Sequence, residues 1–327
     1  MGWLHEPEGE LITMSGTSSP PLATPPHTAR DWVQLHLVVL AWGFTAVLGK
    51  LLTLPPVEVV VWRTALATLG LVVVTRYMGA TLRIPSVVVV KLLGIGLLIG
   101  THWMLFFLSV RLSNVSVCMA AMPTTMLWCT LLEPLFEKGR RISKLELGMG
   151  ALMVAAVWLI FRVEFTHWAG FAAGLAAAFA GAVFAVMNKV LVSRQHYAVV
   201  SCYEMAGAFV ASSIALPFFA DGGTWFHWPT GQDLICLLVL SQVCTVGAYA
   251  AYMDVLRRMS VFNINVTYNL EPVYGIVLAA LVFGDTEQMS SGFYLGAGII
   301  LAAVIALPIL QRARRRRRAG FGEMAGM

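Results

Sequence analysis

The chain has 327 residues, of which 58% are hydrophobic and only 12% charged, with mean hydropathy +0.78 and a formal net charge of +5. Soluble globular domains carry about 25% charged residues, so composition excludes one and points to a membrane chain. The positive balance is concentrated in the run Arg314 to Arg318, which reads as a cytoplasmic anchor against anionic lipid rather than as a nucleic-acid contact.

Residues 1–31, with SGTSSPPLATPP at 15–26, are too rich in Pro, Ser and Thr to bury a core and are predicted to form a disordered cytoplasmic tail. They do not read as a signal peptide, because Glu6, Glu8 and Glu10 stand where a basic start belongs; Met14 is an alternative start. Beyond them apolar runs recur, each near the roughly 20 residues that carry a helix across about 30 Å of hydrocarbon. Ten such runs are predicted, at roughly 33–53, 57–76, 86–109, 115–136, 145–161, 168–192, 198–220, 232–256, 261–283 and 292–310. Lipid offers backbone groups no water to bond, so helices must carry them. Residues 311–327 complete the chain as a basic cytoplasmic tail. All five cysteines fall inside apolar runs, and no disulfide, metal site or cofactor is expected.

Lys and Arg fix the orientation. Lys138, Arg140, Arg141 and Lys144, the pair Arg257 and Arg258, and the C-terminal arginines share one side, whereas Arg111 and Arg162 lie on the other. That bias predicts cytoplasmic N and C termini. The halves also echo each other. AWGFTAVLGKLL at 41–52 returns as FAGAVFAVMNKVL at 179–191, and the stretch 122–150 returns as 271–298, with Pro123 over Pro272, Glu137 over Asp285, and Gly148 and Gly150 over Gly296 and Gly298. The units are then 32–163 and 164–310, five spans each. Because five is odd, the second unit is inverted, with Lys50 near the outer face and Lys189 near the inner one.

These features resemble the EamA type of the drug/metabolite transporter superfamily over residues 33–310. The residues that carry the resemblance are WGFTAVLGK at 42–50, WR at 62–63, MPTT at 122–125, NLEPVYGIVLAALVFGD at 269–285 and GFYLGAGIIL at 292–301. Glu137 and Asp285 stand where that family places an acidic residue after each half's fourth span, although Phe136 replaces the usual glycine before the first. The resemblance implies an all-α integral membrane fold, ten helices in two inverted five-helix repeats around a central cavity. It also implies movement of small metabolites, often amino acids, across the inner membrane.

A charge at the bilayer centre costs at least about 2.5 kcal/mol, so ionisable residues inside the spans mark the candidate site. Glu271 is the deepest, about ten residues into a span read as one continuous helix, and is the candidate proton carrier. Asn265, Tyr268, Asn269 and Pro272 flank it as one polar face, lining a cavity or, on the competing reading, bonding neighbouring helices. Lys50 and Arg63 are its candidate cationic partners, with a Glu58 ion pair as the competing role for Arg63. His102 and Trp103 are a candidate gate or binding pair, against a merely bonded histidine, and Trp42 offers a face for a flat solute. Lys189 and Glu204 form a candidate inner-side ion pair. Glu133 and Asp254 lie near helix ends and are read as anchors.

The expected function is a secondary transporter that exports small amino-acid-like or amphipathic solutes by alternating access, with proton coupling through Glu271. No GxxxxGK[ST] motif occurs to bind nucleotide, and no HExxH or nucleophile–base pattern to support an enzyme. The alternatives are a proton-independent facilitator of the same fold and a non-transporting membrane scaffold. The expected partners are a small solute and lipid; oligomeric state stays open, a homodimer included.

Overall fold

The computed structural model describes residues 28–136, 141–163, 165–191, 196–219, 226–256, 258–259, 264 and 267–325. The tail expected over 1–27, Glu137 and Asn265 lie outside the described residues, as do the side chains of Lys189 and of Arg314 to Arg318. Every regular element among the described residues is helical.

Helix α1 (Ala29–Leu51) starts inside the stretch expected to be tail because Thr28 and Asp31 close a capping box. The Asp31 amide donates to Thr28 Oγ1 at 3.3 Å and the Thr28 amide donates to Asp31 Oδ2 at 3.0 Å. Helix α2 (Pro56–Tyr77) opens on a proline, whose missing N–H is not needed there. After α3 (Ser86–Leu112) the fourth span is two helices, α4 (Val115–Ala121) and α5 (Thr125–Phe136), separated by a 3-10 turn at Met122–Thr124 that contains Pro123. Next come α6 (Lys144–Val163), α7 (Trp168–Leu191) and α8 (Tyr197–Ala215). The eighth span begins as α9 (Gly231–Leu238), widens into a π-helix over Val239–Gly247 and ends as α10 (Ala248–Leu256). Helices α11 (Glu271–Phe283) and α12 (Ser291–Ala325) close the chain.

One expectation is corrected here. The ninth run is not one continuous helix over 261–283. Thr267 and Tyr268 are helical, Asn269 and Leu270 form a turn in which the Leu270 amide donates to the Thr267 carbonyl at 2.9 Å, and α11 begins at Glu271. Pro272 supplies the reason, since it lacks the N–H that a continuous helix would direct at the carbonyl of residue 268. The helix of the last span continues through the basic segment from 311 to 325. Among the described residues, eight helical runs are long and apolar enough to cross a bilayer. The remaining two are α6, which carries Lys144, Glu146 and Arg162, and the interrupted ninth run with its 13-residue helix.

Helix α3 packs on α7 and α8, α2 on α8, α6 on α12, and α1 on α11. The α3–α8 crossing is backbone against backbone. A Cβ at Gly96 would collide with the Glu204 carbonyl oxygen and lie 2.7 Å from Gly207 Cα, and one at Gly100 would lie 3.0 Å from the Ala208 carbonyl oxygen. Small residues let helices approach this closely in lipid, where close packing rather than water exclusion drives association. Gly96→Val is therefore expected to force the helices apart and to cost about 3 kcal/mol, read as a lower melting midpoint in detergent. An unchanged midpoint would show that the crossing is not tight.

Among the described residues, the buried apolar side chains fall into four clusters. At the end that carries the α1–α2 turn, one draws Val47, Leu52, Val60, Phe107, Val115, Leu237 and Ala279 together from six helices, and a second gathers Val117, Ile160, Phe171 and Phe293. Toward the end that carries the N-terminus of α1 lie two more. Leu35, Val39, Val255 and Ile264 form one cluster, and Leu71, Ile95, Cys202 and Met205 another. Helix α5, which leads toward this end, buries none of its residues.

Candidate functional site

Glu271 is the first residue of α11. The backbone of α1 comes right up to it, since a Cβ at Gly43 would lie 3.0 Å from the Glu271 carbonyl oxygen. The Tyr268 hydroxyl lies against its carboxylate. Although Tyr268 stands deep in the chain's apolar stretch, it is 44% exposed, and Glu271 is only part-buried. Trp42 of α1 stands between Tyr268 and Tyr252 of α10, with ring centroids 5.5 and 5.4 Å away. These rings form one aromatic wall beside the acid.

Arg63 of α2 is 3% exposed. Its guanidinium stacks over the Trp103 ring of α3 at 3.7 Å, its Nε donates to Thr245 Oγ1 at 3.1 Å, and its Nη1 makes no hydrogen bond. Glu271 is within electrostatic reach of the guanidinium, yet the two do not meet in an ion pair. Thr245 reaches Arg63 from the π-helix, whose wide turn lets its hydroxyl also donate to the Leu240 carbonyl at 2.8 Å. Such π-turns recur at functional sites. Thr245 was missed from sequence, although Ser241, Gln242 and Thr245 clustered in an apolar span were a readable signal.

The other expected residues divide. Trp42, Arg63, Trp103, Tyr268 and Glu271 are brought together. His102 serves α3–α7 packing, its Nδ1 bonding the Ala177 carbonyl at 2.7 Å between the rings of Phe106 and Phe184. Asn269 turns its amide to the Val304 carbonyl at 3.4 Å and ties the break before α11 to α12. Lys50 binds Glu287 at 2.7 Å, and Glu58 binds His227 through its ring at 2.8 Å, so neither joins Glu271 or Arg63 in an ion pair. Asp254 anchors the end that carries the N-terminus of α1, bonding Arg258 at 2.7 Å and Gln34 at 3.0 Å. Glu204 is buried on α8, while the Lys189 side chain expected beside it lies outside the described residues.

Among the described residues, this interior holds a cation and an acid that no ion pair joins, beside an aromatic wall. A solved crystal structure matches the fold with a TM-score of 0.61 at 16% identity, covering 88% of this chain and 99% of its own. No curated protein matches the sequence. The EamA-like transporter family matches residues 33–162 and again residues 168–308, two repeats that together take up most of the chain. The chain belongs to the EamA-like transporter family.

Proposed function

We propose that this protein is a secondary transporter that exports small amino-acid-like solutes across the inner membrane by alternating access. In this reading its ten spans form two inverted five-helix repeats with both termini cytoplasmic. The observation that carries the reading is the pair of opposite charges held apart inside the bundle, Arg63 with a spare Nη1 donor and Glu271 with no cation bound. A zwitterion answers both, its carboxylate taking the guanidinium donor and its ammonium the acid, while Trp42 and Tyr268 face its apolar part. Glu271 is the proton carrier in this scheme.

The test is uptake of radiolabelled L-phenylalanine into proteoliposomes with and without an imposed pH gradient. Glu271→Gln is expected to lower gradient-driven uptake about tenfold and to flatten its pH profile. Uptake as fast as wild type with an unchanged profile would remove the proton role and leave a facilitator. Inverted repeats predict that a cysteine at position 50 is labelled from the periplasm and one at position 189 from the cytoplasm.

A further inference from the structure

The second half of the chain buries an acid that the scheme above leaves unused. Glu204 is 3% exposed on α8, at the tight crossing with α3. Asn188 of α7 hydrogen-bonds its carboxyl group. Even so, Glu204 Oε1 and Asn188 Oδ1 are buried and make no hydrogen bond among the described residues, and the Ser201 hydroxyl lies against that of Tyr249. Tyr249 of α10 faces both Glu204 and Ser201, and Tyr197 lies one turn before Ser201 on α8. Helices α2 and α3 present apolar side chains here, Ala67 and Leu71 from one and Ile95 and Ile99 from the other, with Cys202 beside them. No described cation pairs with Glu204.

We propose that Glu204 is a second proton-binding site of this transporter, separate from the solute site and loaded and unloaded during the transport cycle; the inference rests on the transport reading above. Two acceptor oxygens, Glu204 Oε1 and Asn188 Oδ1, lie in a dry place without a partner among the described residues. A proton on the carboxyl group turns Oε1 from an orphan acceptor into an O–H that can bond Asn188 Oδ1. The step is balanced by water alone: a carboxylate takes a proton from solvent on one side and returns it on the other, with no other bond made or broken.

Placement ties Glu204 to the solute site. A row of rings joins the two acids: Tyr249 to Tyr252 at 6.3 Å, Tyr252 to Trp42 at 5.4 Å, and Trp42 to Tyr268, which lies against Glu271, at 5.5 Å. The two family repeats also place an aromatic-plus-charge pair in their second span, Trp62 with Arg63 in one and Tyr203 with Glu204 in the other. One half thus contributes a cation and the other an acid, so movement of the halves changes the surroundings of both at once.

Infrared difference spectra of the full-length protein in lipid, recorded between mildly alkaline and mildly acidic pH, test this without any solute. Wild type is expected to show protonated-carboxyl absorption, one band of which is lost in Glu204→Gln and kept in Glu271→Gln. Glu204→Asp should keep the band, which shows that its loss in the amide variant is not misfolding. A second measurement is accumulation of L-phenylalanine driven by a pH gradient, expected to fall about tenfold in Glu204→Gln. If wild type carries no L-phenylalanine, the transport reading fails and the infrared band still decides the assignment of Glu204. A band unchanged in Glu204→Gln would overturn the inference. So would accumulation that a sodium gradient drives and a pH gradient does not, which would make the Glu204 cluster a sodium site.

Discussion

Glu287→Ala is expected to cost about 3 kcal/mol of folding free energy and to lower the melting midpoint in detergent well below that of wild type. The residue lies in the 3-10 turn after α11, and its side chain is fully buried. Oε1 accepts from Lys50 Nζ at 2.7 Å and from the Val115 amide at 3.2 Å; Oε2 accepts from the amide and the hydroxyl of Ser116, both at 2.9 Å. One carboxylate thus satisfies the free N–H groups that open α4 and neutralises a cation from α1. Alanine would leave two amides, a hydroxyl and a partly buried ammonium without their acceptor, which costs more than the pair gains by forming. Lys50→Met should cost less, because Lys50 keeps one side in water and the carboxylate retains its other donors. A Glu287→Ala protein that melts with wild type would show that water replaces the acid there.

Arg63→Leu should give the opposite pattern, with uptake falling about a hundredfold while the melting midpoint holds or rises. An isolated buried guanidinium is a liability to folding. Stacking on Trp103 and one bond to Thr245 offset only part of its desolvation, and Nη1 is left idle. Leucine removes that cost, and with it the donor that would meet a solute carboxylate. Arg63→Lys should not restore transport, since an ammonium neither lies flat on an indole nor presents a fork of donors. A variant that loses transport and stability together would make Arg63 a structural residue instead.

Much of this architecture could be read from the chain before folding was considered, because hydrocarbon demands length and apolarity, and both are local. The runs containing Trp42, Arg63, Trp103 and Glu271 were found that way. What could not be read was the pairing between distant residues. Lys50 meets Glu287 only because a turn after α11 returns to the start of α4, and no periodicity relates those positions. The same holds for Glu58, which is claimed by His227 rather than by Arg63 one turn and a half along its own helix. The break before Glu271 was signalled by Pro272 but hidden by the surrounding apolar residues, which read as one unbroken span. The π-helix left no trace in composition at all, since an extra residue in a turn changes hydrogen bonding and not hydropathy.

The glycine contact between α3 and α8 bears on how the two repeats can move. Side chains that interdigitate must hop between rotamers when helices swivel, and each hop adds friction. Where Gly96 and Gly207 meet there is nothing to re-seat, so the contact can serve as a bare pivot while groups farther out sweep through larger arcs. Glu204 contributes its own carbonyl to that pivot, which places the buried acid at the axle rather than at the rim.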